Sequence, residues 1–120
     1  MFYMISPMGP TAWQVSQAEL DDLLEGLWPG VRSQIPGLPT DTRALEWDFA
    51  NGDAWLSGFM TANGQQFYLR GFPDLIAQFA VALKSRFAPS EEILLCSEDL
   101  ELVQPLAGQD VGDIVRVLTS

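Results

Sequence analysis

The sequence predicts an α+β fold: an antiparallel β-meander sheet packed against two main helices, with element order α-β-β-β-α-β-β-α, in a single domain over residues 1–120. Two observations carry this. Asn51-Gly52 and Asn63-Gly64 lie 12 residues apart between aromatic runs, the pattern of successive hairpins. Two stretches with apolar residues at helical spacing, 16–28 and 73–87, flank that meander.

The first fourteen residues hold Phe2, Tyr3, Met4, Ile5 and Trp13 without a clean period. A short strand or packed arm is expected near residues 2–5. Ser16 followed by Glu19 makes a capping box, and Val15 with Leu20 makes a hydrophobic staple. Leu20, Leu23, Leu24 and Leu27 then form one stripe, with Asp21, Asp22 and Glu25 on the other side. Pro29-Gly30 ends this helix, and the Pro- and Gly-rich stretch 29–41 reads as a stiff connection that turns the chain.

Leu45, Trp47 and Phe49 alternate with Glu46 and Asp48, the period of a half-buried strand. Trp55, Ser57, Phe59 and Thr61 alternate likewise with Leu56, Gly58 and Met60, and Gln66 to Arg70 completes the meander. A type I′ turn is expected at Asn51-Gly52, and Asn63-Gly64 is a second hairpin signal. The second helix starts with Pro73 and Asp74, buries a face of Leu75, Ile76, Phe79, Ala80, Leu83 and Phe87, and ends with Lys84 and Arg86 near Pro89. Ile93 to Cys96 reads as a further strand. The acidic turn Ser97-Glu98-Asp99 and the apolar run Leu100, Leu102, Val103 suggest a hairpin, and Asp110 caps a short closing helix over 110–118.

Composition limits the function classes. The 120 residues carry sixteen acids and six bases, a net charge of −10. Six scattered cations build no basic patch, which argues against nucleic acid or an anionic membrane as partner. The excess is uneven: −3 over residues 1–40, −1 over 41–87 and −6 over 88–120. There is no histidine, so Ser-His-Asp and Cys-His catalysis are excluded and the commonest metal ligand is missing. The single cysteine, Cys96, forms no internal disulfide, which suits a reducing compartment. The first residues lack a basic segment and are broken by Pro7 and Pro10, so no signal peptide is expected. No apolar run is long enough to span a bilayer. The expectation is a cytoplasmic protein without cofactor or metal.

Several groups are candidates for chemistry. Glu46 and Asp48 share one strand face about 7 Å apart, a spacing compatible with a carboxylate-based hydrolase; the alternative is a solvated outer sheet face. Asp48, Asn51 and Asp53 crowd a hairpin, but they lack the spacing of a calcium loop. Cys96 sits in an apolar run that makes a thiol inert. Trp55, beside Asp53, is either exposed at the end of the sheet or packed across the hairpin on Phe49 or Phe67. Aromatic residues next to acids are typical of protein interfaces. Glu98, Asp99 and Glu101 are either a solvated turn or a landing site for a basic partner.

From Gly71 to Leu118 the chain reads GFPDLIAQFAVALKSRFAPSEEILLCSEDLELVQPLAGQDVGDIV and onward. An Ala- and Phe-rich helix ends in Arg86-Phe87-Ala88-Pro89. A Glu91-Glu92-Ile93-Leu94-Leu95 strand and an acidic turn follow. Leu106-Ala107-Gly108-Gln109-Asp110 then leads into a last short helix. This stretch resembles small bacterial immunity proteins of polymorphic-toxin and contact-dependent inhibition systems. The resemblance implies a non-catalytic cytoplasmic protein that neutralises one cognate toxin domain, in many cases a basic nuclease. The element order, length and low pI are also similar to class I type III secretion chaperones, acidic homodimers that hold an effector segment. The expected partner-binding residues are Glu46, Asp48, Asp53, Trp55, Glu98, Asp99 and Glu101.

Overall fold

The computed structural model describes residues 2–9, 11–35 and 43–119. In chain order the elements are β1 (Tyr3–Pro7), α1 (Gln17–Leu27), β2 (Arg32–Gln34), β3 (Arg43–Asn51), β4 (Ala54–Thr61), β5 (Phe67–Gly71), α2 (Pro73–Phe87), β6 (Ile93–Ser97), β7 (Val103–Leu106) and α3 (Val111–Thr119). The α+β class and the expected order hold, with β1 placed before α1 and β2 added after it. The seven strands form one antiparallel sheet in the order β2-β3-β4-β5-β1-β6-β7.

The sheet has two chemically distinct faces. Ile5, Leu45, Trp47, Leu56, Met60, Phe67, Leu69, Ile93, Leu95 and Leu106 point inward and are buried. They share one core with Leu20 and Leu24 of α1, Ile76, Phe79 and Leu83 of α2, and Ile114 of α3. Trp47 stacks on Phe79 at 5.3 Å, and Trp28 stacks on Phe49 at 5.1 Å while donating its indole N–H to Gln78. Trp28 thus supplies its area to the core with its polar end satisfied, whereas the buried indole N–H of Trp47 has no acceptor among the described residues.

The local sequence signals account for the helix ends. Ser16 Oγ accepts the Glu19 N–H while the Glu19 carboxylate accepts the Ser16 N–H, each at 3.1 Å, which is the expected capping box. Pro73 opens α2, where a missing N–H is harmless. Asp110 Oδ1 accepts the Asp113 N–H at 2.8 Å and so caps α3.

The turns differ from expectation. Asn51 pairs with Ala54, so the first hairpin loop is Gly52-Asp53, and of its residues only Gly52 has positive φ (+65°). That sign pattern belongs to a type II′ turn, with glycine at the first central position. The second loop is longer: Gly64 N–H bonds to Thr61 O, Thr61 N–H bonds to Gln66 O, and Gly64 takes φ +69°. Asn63 does not enter the left-handed region; its side chain instead accepts from Thr61 Oγ1 and the Gln65 N–H.

Of the strands outside the meander and the closing hairpin, β1 settles an open alternative and β2 was not foreseen. β1 is not an arm: it lies between β5 and β6. β2 occupies part of the expected connection, because Gly30 at φ +92° turns the chain back so that Arg32–Gln34 pairs with Asp48–Glu46. The remainder of that connection, residues 36–41, lies outside the described residues. No helix among the described residues is long and apolar enough to cross a membrane.

Candidate functional site

The three helices share the core with the inner face, and the outer face of the sheet carries polar and aromatic side chains. The register places these in rows across the strands. One row runs Arg32, Asp48, Ser57, Arg70 from β2 to β5 and continues to Phe2 and Glu98 beside β1 and β6. The next runs Gln34, Glu46, Phe59, Tyr68, Met4, Cys96 and Val103 from β2 to β7.

The expected contact residues divide between two places. Glu46, Asp48 and Trp55 stand on the outer face. Asp53 lies in the β3–β4 turn, and Glu98, Asp99 and Glu101 lie in the β6–β7 turn. Both turns sit at the same end of the sheet, because β3 and β6 run in the same direction. They are separated by roughly 20 Å, about four strand spacings. The acids thus mark the two corners of one rim.

On the face, the carboxylates are already engaged. Glu46 accepts from Arg43 Nη1 at 2.8 Å and from Gln34 at 3.2 Å, and these bonds hold its carboxyl below the usual carboxylate range. Asp48 accepts from Ser57 Oγ at 2.7 Å. A general acid needs a carboxyl raised above its ordinary value in a sheltered site; Glu46 is lowered, on an open sheet face.

Trp55 is 39% exposed. It points outward and Phe49 and Phe67 point inward, so it does not pack across the hairpin onto either. It meets the Phe72 ring edge-on at 6.4 Å, and the Arg70 guanidinium lies 5.9 Å from the Trp55 ring and 5.8 Å from that of Phe2. Sequence reasoning missed Phe2 and Arg70. Arg70 reaches Trp55 through the β4–β5 pairing, and the alignment of Phe2 with them depends on β1 entering the middle of the sheet, which no local pattern announces.

The acidic turn is built, not loose. Asp99 accepts from Ser97 Oγ at 2.5 Å and from the Glu101 N–H at 3.1 Å, and these bonds lower its carboxyl below the ordinary value. Glu98 accepts the Phe2 N–H at 3.2 Å, and its own N–H returns to Phe2 O. Leu100, at the tip, has φ +60° and is 65% exposed. A bulky residue in the left-handed region is uncommon; here the Asp99 bracket holds it there. Between this turn and the sheet lies a groove of about 400 Å³ lined by Phe2, Met4, Arg43, Phe59, Tyr68 and Leu100 among others.

A titration follows from the bracket. The Asp99 carboxyl is expected to titrate below its ordinary value, and Ser97→Ala should move it back up, because the largest cause of the lowering is the Ser97 hydroxyl. Whatever the bracket adds to stability is present above the unfolded carboxylate value and is lost as pH falls through the lower folded value. Carboxyl-carbon NMR of the two proteins measures this; equal midpoints would show that the hydroxyl does not hold Asp99.

Cys96 is buried, and desolvation raises its thiol above the ordinary range, in keeping with an inert packing role. Compared with protein-family models, with curated proteins and with solved structures, the chain matches none.

Proposed function

We propose that this chain is an acidic, non-catalytic, cytoplasmic binding module that holds a basic partner domain against one end of its sheet, in the manner of an immunity protein neutralising its toxin. The observation that supports this most is the β6–β7 turn, where an exposed Leu100 is fixed among Glu98, Asp99 and Glu101. An apolar residue held in place amid one sign of charge suits an interface: the charge speeds encounter and the side chain supplies contact after it. Asp53, at the other corner of the same rim, extends the acidic field. Glu46 is paired with Arg43 of its own sheet and contributes less than its sequence position suggests, while Asp48 bonds the uncharged Ser57 hydroxyl.

The test uses the C-terminal domain of a secreted toxin encoded beside this chain, in a tagged pull-down followed by size exclusion with light scattering. A stoichiometric complex with the folded domain, dissociated by high salt, is the expected result. Reversing Glu98 and Glu101 to lysine should slow association about tenfold or more and flatten its dependence on salt. Asp99 is left in place because it holds the turn. Association rates that do not change would remove the acidic turn from the interface. A dimer of this chain holding only an extended segment would favour the secretion-chaperone reading instead.

A further inference from the structure

The outer face of the sheet differs in charge from the rest of the molecule. Arg32, Arg43 and Arg70, three of the six cations, stand on it. Of the sixteen acids, Asp41 lies outside the described residues, and of the other fifteen only Glu46 and Asp48 stand on this face between β2 and β1, with Glu98 at its margin beside β6. Over the strands β2 to β1 its three cations outnumber its two acids. Two copies of a chain with net charge −10 repel each other elsewhere and can approach here.

We propose that this face binds a second copy of the chain, face to face, about a two-fold axis running along β4. The axis is set by the rows. Asp48 and Arg70 flank Ser57, one strand to either side, so rotation about β4 brings each Asp48 over Arg70 of the other copy. Glu46 and Tyr68 flank Phe59 in the same way, so each Glu46 carboxylate meets the other copy's Tyr68 hydroxyl. Arg32 and Phe2 both lie two strands from β4, which sets a guanidinium over a ring. Arg70 makes no ion pair among the described residues, so its charge is available for the second copy's Asp48. Trp55, on the axis itself, packs against its counterpart.

Neighbouring axes fail on charge. About β5, Arg70 would face Arg70 and Asp48 would face Glu98; about β3, Asp48 would face Asp48. The pattern is therefore complementary to itself in one register and repulsive in the adjacent ones. The footprint spans the five strands from β2 to β1, roughly 24 Å across, which is about 400–500 Å² per copy against about 800 Å² in a standard interface. The dimer is thus weak and concentration-dependent. It leaves β6, β7 and the Glu98–Glu101 turn uncovered, so that turn stays open to the partner proposed above.

Sedimentation equilibrium of the intact protein tests this over about 5 to 500 µM, at about 0.01 M and 0.15 M salt. A dimer is expected in the upper range, tighter at the higher salt, because screening relieves the repulsion between the two acidic shells. Binding of a basic partner to the rim should show the opposite salt dependence. Arg70→Asp should weaken the dimer about tenfold or more, Asp48→Arg should weaken it similarly, and the two together should restore it. Arg70→Gln, which alters the fold least, should weaken it severalfold. A monomer throughout, a dimer indifferent to Arg70→Asp and Arg70→Gln, or a double variant no better than either single one would each overturn the proposal.

Discussion

Gly58→Ala is expected to destabilise the protein by about 3 kcal/mol, the upper part of the range for overpacking. Gly58 faces Trp47 across β3 and β4. A Cβ there would lie 2.6 Å from Trp47 Cζ2 and 2.7 Å from the Tyr68 carbonyl oxygen. The indole is fully buried against Phe79 and cannot swing away, and the carbonyl belongs to the neighbouring strand. Trp47→Phe removes the ring atoms that clash, together with an indole N–H that has no acceptor among the described residues, so its own cost should be near 1 kcal/mol. Removing a buried unpaired donor offsets part of the lost packing. In the double variant, Trp47→Phe should recover about half of the Gly58→Ala loss, because the Tyr68 oxygen remains in the way. Urea unfolding of the four proteins measures the coupling. Strict additivity would mean that the clash is relieved by backbone movement and that the tryptophan does not enforce the glycine.

This pair shows why much of the fold could be read from the sequence. Alternation with Glu46 and Asp48 points Trp47 to the core, and Gly58 shares one face of its strand with Leu56 and Met60. The helix ends were equally plain, because Ser16 with Glu19, Pro73, and Asp110 with Asp113 act within one turn. Long-range pairing was what local chemistry left open. β1 carries no alternation because it is central: Ile5 is buried on the inner face, while Met4 and Ser6 are half-buried on the outer one. β2 has no apolar period at all, since its three residues are exposed at the sheet edge, and only the turn at Gly30 returns them to β3.

The candidate site divides along the same line. Charge density alone located the Glu98–Glu101 turn, which is a local feature. Trp55 was undecided because its two alternatives differ only in which face of β4 it occupies, and a single residue of register decides that. Arg70 and Phe2 could not be found, since 68 positions separate them in sequence and the sheet brings them together. Asp99 was read as a charge, whereas its carboxylate is an internal bracket.

Gly64 and Gly52 separate backbone strain from close approach. Both have positive φ, +69° and +65°, so alanine at either costs about 1–2 kcal/mol for the left-handed backbone. At Gly52 nothing lies within 4 Å of the added Cβ, and the cost should stop there. At Gly64 the same atom would lie 2.4 Å from the Val15 carbonyl oxygen, at the point where the Val15 N–H bonds to Gly64 O. Val15 is buried beneath the first turn of α1, so relief requires moving the start of that helix off the β4–β5 loop. Gly64→Ala is therefore expected to cost about 3–4 kcal/mol, the strain plus a backbone clash of overpacking size, a large share of a small domain's stability. Its Tm should fall well below that of Gly52→Ala, and the extra loss should vanish if Val15 no longer docks there. Amide exchange at Val15 checks the mechanism: it should speed up in Gly64→Ala and stay slow in Gly52→Ala. Equal losses in the two variants would mean that only the backbone conformation demands glycine, and that the loop does not pin α1 to the sheet.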